Sequence, residues 1–183
     1  MLKKTYSWRN VRGIVRANDG ISAVEFALIA PLMVLMYMGS IELSFMMTLD
    51  RKVTSAAAAL GDLTARDDNV TDADMAQIFQ ATRMVMEPND IVLARMRVSS
   101  LEDAGCNDNV TVGWSDGYGF GAYPVGTSMT VPDDIVPTCG SAIFAEFEYD
   151  YRSPFGFFIT QPKTLSDEFY LRPRRSNFVA RSD

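Results

Sequence analysis

The sequence predicts an α+β fold led by a long N-terminal helix, and three observations carry that reading. An apolar run extends from Ile21 to Leu49 with only Glu25 and Glu42 charged. Helical spacing then continues through Val53, Ala56, Ala57 and Leu60. Beyond Pro88 the period turns toward alternation in IVLARMRVSSL, NVTVGWS and SAIFAEFEYDYRS. At 183 residues, 48% hydrophobic and 22% charged, the chain has material for one domain plus an anchoring segment, not for two large domains. It contains no histidine, which excludes imidazole bases, histidine-containing triads and histidine-ligated metal sites.

Charge is distributed unevenly. Residues 1–20 carry Lys3, Lys4, Arg9, Arg12 and Arg16 against Asp19, a net of +4, so the remainder of a chain of net charge -6 stands at -10. An acidic body lacks the clustered Lys and Arg that phosphate neutralisation requires, so no nucleic-acid partner is expected. The segment from Phe26 to Met47 is about 30 Å long as a helix, the thickness of a bilayer's hydrocarbon core. The lipid bilayer is therefore the first expected partner, and the positive-inside bias predicts a single-pass, N-in topology. A secretory signal peptide would have a shorter apolar stretch closed by small residues, and no such exit precedes SFMMTLDRKVTSAAAALGDLTAR.

Glu25 sits near the start of the apolar run, where a carboxylate is costly at depth without a use or a partner. Gly20 stands five positions before it. The pair has two readings. One is a loop glycine followed by an interfacial acid that favours a helix start. In the other, a cut after Gly20 frees an α-amino group on Ile21, and Glu25 neutralises the amine of an adjacent subunit when helices pack. The wider window, G-ISAVEFALIAPLMVLMYMGSIEL, with Ala23, Val24, Glu25, Phe26, Ala27, Leu28, Pro31, Leu32, Gly39, Ile41 and Glu42 in place, resembles the TadE family. These are minor pilins or pseudopilins of the tight-adherence (Flp, type IVb) pilus system, and TadF-like proteins share much of the pattern.

That resemblance covers about 25 residues and implies most of the functional expectations. A membrane-embedded prepilin peptidase would remove the basic cytoplasmic leader, 1–20, between Gly20 and Ile21, with the glycine keeping the scissile peptide extended. Residues 21–49 would form the transmembrane and assembly helix, with Glu25, Phe26, Pro31, Gly39 and Glu42 as assembly residues. Residues 50–66 would be its exposed continuation and 67–183 a periplasmic α+β domain. The implied location is the bacterial inner membrane, with incorporation in a surface pilus. Implied partners are the prepilin peptidase, other pilins and pseudopilins (TadF-like proteins and the major Flp pilin) and the inner-membrane assembly platform. Pro31 favours a kink that spanning helices tolerate. Glu42, about 25 Å beyond Glu25 on an ideal rise, is expected half-solvated near the outer interface.

Past the span, DRKVTSAAAALGDLTAR continues the helix until Asp67, Asp68 and Asn69 break it. Thr71 or Asp72 caps a second helix, ADMAQIFQATRMVM, with apolar face Met75, Ile78, Phe79, Thr82 and Met86, ended by Pro88. The acidic cluster DDNVTDAD lacks the central Gly and terminal Glu of an EF-hand loop, so it reads as turn and cap, and neither metal nor cofactor is expected.

The three alternating segments, with DEFYLRPR as a further candidate, predict a short antiparallel sheet. In FAEFEYDY, Phe144, Phe147, Tyr149 and Tyr151 interleave with Glu146, Glu148 and Asp150, the pattern of a half-buried strand with one acidic face. GWSDGYGFGAY reads as a hairpin turn or a mobile contact loop, and SPFGFFITQP as an assembly surface or core packing. Cys106 and Cys139, both in loop-like contexts, fit one structural disulfide closing about 34 residues and contributing about 3 to 4 kcal/mol. Two functional classes follow. One is a non-catalytic minor pilin needed for assembly and adherence. The other is an uncleaved single-span protein whose outer domain binds a partner, a TadF-like assembly factor included, or hydrolyses through adjacent acids such as Asp133 and Asp134, for which VPDDIVP supplies a turn and no convincing site.

Overall fold

The computed structural model describes residues 19–183, with side chains from Gly20 onward; the basic leader expected over 1–20 lies, but for its last two residues, outside them. Two compact units meet in the chain at Ile41 and Glu42, and each is described by itself.

The first unit contributes the beginning of α1, Asp19–Ala65, a helix that continues across Pro31. Its side chains are exposed through most of residues 21–37, including Phe26, Leu28 and Tyr37. It is long and apolar enough to cross a membrane.

In the second unit, the last third of α1 buries Leu49, Val53, Ala56, Ala57 and Leu60, the stripe read from the sequence. Small residues let the helix approach the sheet. A Cβ on Gly61 would fall 2.4 Å from Leu171 Cδ1 and 3.3 Å from Ala145 Cβ. Two residues, Asn69–Val70 (β1), then pair in parallel with Ala180–Arg181 (β6), a ladder too short to be legible in the sequence. Helix α2, Asp72–Val85, starts on a capping box. Thr71 Oγ1 accepts from Asp74 N–H while the Asp74 carboxylate accepts from Thr71 N–H. Its inward face is the expected one, Met75, Ile78, Phe79 and Thr82, with Met86 beyond it.

The predicted sheet is present: β2 (Ala94–Glu102), β3 (Thr111–Tyr118), β4 (Ser141–Tyr151) and β5 (Lys163–Leu171), in the order β3-β2-β4-β5, every neighbour antiparallel. Alternate residues divide it between two cores. Ile143, Ala145, Phe147, Tyr149 and Tyr151 of β4 pack with α1 and α2. Phe144 turns to the other face, joining Leu101, Val110 and Val112 under the long connection from β3 to β4. A register shift opposite Ser100 and Leu101 leaves Gly113 of β3 as an extra residue, so β3 serves the first core with Trp114 and the second with Val112, only two positions apart.

GWSDGYGFGAY is neither a plain hairpin turn nor a free loop. Its first half completes β3, and its second half folds back over the sheet. Two glycines permit this. A Cβ on Gly117 would sit 2.5 Å from the Phe120 carbonyl oxygen, and Gly119 has φ +73°.

Candidate functional site

The expected site residues Gly20, Ile21, Glu25, Phe26, Pro31 and Gly39 all lie on α1 within the first unit. Gly20 and Ile21 are in its first described turn, helical rather than extended as the cleavage reading anticipated, because no breaker separates them from the strong helix formers that follow. Glu25 is exposed and surrounded along the helix by Ile21, Val24, Phe26 and Leu28, each more than half exposed. A carboxylate in such an apolar sleeve has a use only where another chain or an interface covers it.

Glu42 differs from its expected state. It is 1% exposed rather than half-solvated, because the connection from β4 to β5 wraps around it. Oε1 accepts from Ser153 Oγ–H and from Phe157 N–H at 2.9 Å, while Oε2 accepts from the N–H groups of Phe158 at 2.8 Å and Ile159 at 3.2 Å. The Ser153 hydroxyl in turn accepts from the N–H groups of Phe155 and Gly156, and Gly156 supplies a φ of +65°. Three successive amides converging on one carboxylate form a small anion nest, so the helix and this loop are one hydrogen-bonded unit. The signal in the sequence was the small-residue pattern S-P-F-G opposite an acid in an apolar helix, but its two halves stand more than 100 residues apart.

The SPFGFFITQP patch is exposed at its tip: Phe155, Phe157 and Phe158 are 46%, 61% and 57% accessible. Phe155 lies 6.1 Å from Phe45 of α1, ring centre to ring centre. The patch is therefore a surface and not core packing.

On the sheet face away from the helices, the acidic row of β4 has basic partners directly across the ladder. Arg97 opposes Glu146 and Arg95 opposes Glu148. Arg97 donates to Glu146 from Nε and Nη2, both at 2.7 Å, and from Nη1 to the Gly121 carbonyl at 2.9 Å. Its guanidinium lies 3.5 Å from the Tyr123 ring centre and 5.0 Å from that of Phe120. Arg95 reaches Glu148 at 3.1 Å and Asp150 at 3.2 Å. The aromatic-glycine stretch thus closes over an ion pair; the alternation of R-M-R against E-F-E-Y-D was the signal for it.

Cys106 and Cys139 are joined by a disulfide. Beside it the Asp103 carboxylate, 1% exposed, accepts from the N–H groups of Asn107, Asp108 and Cys139 at 3.1, 3.2 and 3.4 Å. Burial by itself would raise the Asp103 carboxyl, but these amides outweigh it and hold the carboxyl below its usual range. The same bonds steady Asp108 and Cys139 at positive φ, where residues with a Cβ are strained, and Cys106, also at positive φ, donates its N–H to the Asp103 carbonyl. Near the chain end, Arg181 bridges Asp116 and Asp72, and these two acids raise its guanidinium above the ordinary arginine value. Asp133 and Asp134 lie exposed in the expected turn. Among the described residues no three His, Cys, Asp or Glu side chains converge as metal ligands.

No curated protein and no solved structure matches the chain. A family comparison does: residues 20–61, from the glycine at the expected cut through the point where α1 meets the sheet, match the family described as TadE-like protein, the family that the window carrying Glu25, Pro31 and Glu42 resembles.

Proposed function

We propose that the protein is a minor pilin precursor of a tight-adherence, type IVb pilus, structural rather than catalytic. The supporting observation is the coincidence of the TadE-like match with an apolar helix whose side chains are uncovered through most of residues 21–37 and whose only acid there is Glu25. Lipid covers that surface before assembly and neighbouring pilin helices cover it afterwards. The prepilin peptidase cuts between Gly20 and Ile21. Because these residues continue α1, the first turn unwinds to enter the peptidase, and Gly20 makes that local opening easier. The new Ile21 amine of one subunit then neutralises Glu25 of another. The leader stays on the cytoplasmic side of the inner membrane, and the disulfide-bearing sheet domain stands in the periplasm, where a disulfide persists.

Mass spectrometry of membrane-extracted protein tests the reading. An N-terminus at Ile21, lost in Gly20→Ala, supports it. An intact Met1 beside normal pili refutes it and leaves an uncleaved single-span protein with a partner-binding outer domain.

A further inference from the structure

The loop that captures Glu42 carries charge and apolarity in a particular order. Residues 152–163, RSPFGFFITQPK, begin with Arg152, end with Lys163 and contain no acid, in a chain of net charge -6. Both basic residues are exposed. Between them Phe155, Phe157 and Phe158 project into solvent instead of joining either core. Beside them on α1, Leu43, Phe45 and Met47 are each about half exposed. The second unit thus presents one apolar rim built from a helix segment and a loop, hydrogen-bonded together through Glu42.

In sequence this rim begins where the apolar helical run of 21–41 stops. Those 21 residues are about 32 Å of helix, a full hydrocarbon thickness, so the residues that follow are at headgroup level if the run spans the bilayer. We propose that the loop 152–163 is a membrane-interface anchor: Phe155, Phe157 and Phe158 insert among the headgroups and upper acyl chains of the outer leaflet, and Arg152 and Lys163 lie against lipid phosphates. This rests on the membrane-spanning reading of 21–41, not on cleavage or pilus assembly. Charge favours lipid over a second copy, since two such loops face to face would oppose cation with cation, whereas an anionic leaflet complements both. Anchoring at this point orients the sheet domain on the membrane before assembly, and extraction of a subunit must peel the loop from lipid.

The full chain, reconstituted in vesicles of phosphatidylethanolamine and phosphatidylglycerol containing lipids brominated near the headgroup, tests this by tryptophan quenching. Phe157→Trp, with Phe158→Trp as the second variant should the first misfold, reports the loop. Tyr37→Trp reports the span, and Val125→Trp reports a different exposed loop. The emission of Trp8 and Trp114, measured in the unsubstituted chain, is subtracted. The loop reporter is expected to be quenched at least about twofold more than the Val125 reporter, and Arg152→Glu/Lys163→Glu to lower that quenching. If Tyr37→Trp is quenched and the loop reporter is not, the anchor is overturned while the span stands. A loop reporter shielded from both bromolipid and aqueous acrylamide overturns it in favour of a protein cover. If neither the span nor the loop reporter is quenched, the spanning reading fails and takes the anchor with it.

Discussion

Replacing Arg97 with methionine should be among the more damaging single changes outside the apolar core. The side chain and its partner Glu146 are 15% and 14% exposed, so both charges are largely removed from water. Breaking a buried pair by removing one member costs about 3–5 kcal/mol, because the other charge is left uncompensated, whereas exposed pairs are worth about 0–1 kcal/mol. Partial exposure places Arg97→Met near the lower edge of the buried range, about 3 kcal/mol. The Gly121 carbonyl and the Tyr123 and Phe120 rings lose the same guanidinium, so the aromatic-glycine stretch should loosen with it. Each kcal/mol shifts the midpoint of a domain this size by about 2–4 °C, which predicts a fall of about 6–12 °C. Thermal unfolding of the full chain in detergent, followed by near-ultraviolet circular dichroism, measures it. The decisive comparison is Arg97→Met/Glu146→Leu, which removes both charges and should recover about 2 kcal/mol relative to the sum of the single losses. Additive losses, or a single-variant loss under about 1 kcal/mol, would show that the pair is effectively solvated and refute the reasoning.

Three further outcomes are expected. Cys106→Ser/Cys139→Ser opens a bridge of sequence separation 33 and should lower unfolding stability by about 3–4 kcal/mol in denaturant titration; a loss below about 1 kcal/mol would mean that the Asp103 hydrogen bonds alone hold the connection. Asp103 has a folded-state carboxyl below its ordinary value, so its contribution is complete above about pH 3.9, the unfolded value, and disappears as pH falls from there through the folded value. Asp103→Asn should therefore flatten the acid limb of stability against pH, and an unchanged limb would assign it to other carboxylates. Glu42→Gln keeps the shape but replaces one acceptor with a donor that faces amide hydrogens, so hydrogen exchange at Phe157, Phe158 and Ile159 should accelerate while exchange in β4 stays slow. Unchanged protection at those three amides would show that the loop holds without the carboxylate.

Much of this protein was legible along the chain because its signals are local. Val53, Ala56, Ala57 and Leu60 announced a helix face. Thr71 or Asp72 announced a cap, which the structure places at Thr71, and alternation in FAEFEYDY announced a strand with an acidic side. The TadE-like window was likewise a contiguous pattern, and the comparison matches it over residues 20–61. Where the sequence reading failed, the competing effect was long-range. Glu42 was expected half-solvated from its position in the apolar run, yet a loop more than 100 residues later supplies the amides that bury it. The glycines of GWSDGYGFGAY suggested a mobile turn, yet Arg97 on another strand draws its rings over the sheet.

Periodicity, caps, composition and a short apolar motif thus sufficed to place the helices, the strands and the segment long and apolar enough to cross a membrane, since each depends on neighbours within a few residues. Strand order, the pairing of Arg95 and Arg97 with the acids of β4, the β1–β6 ladder and the enclosure of Glu42 required the tertiary structure. The reason is that a charge can stay buried only where donors from elsewhere in the chain converge on it, and that convergence is a property of the folded backbone.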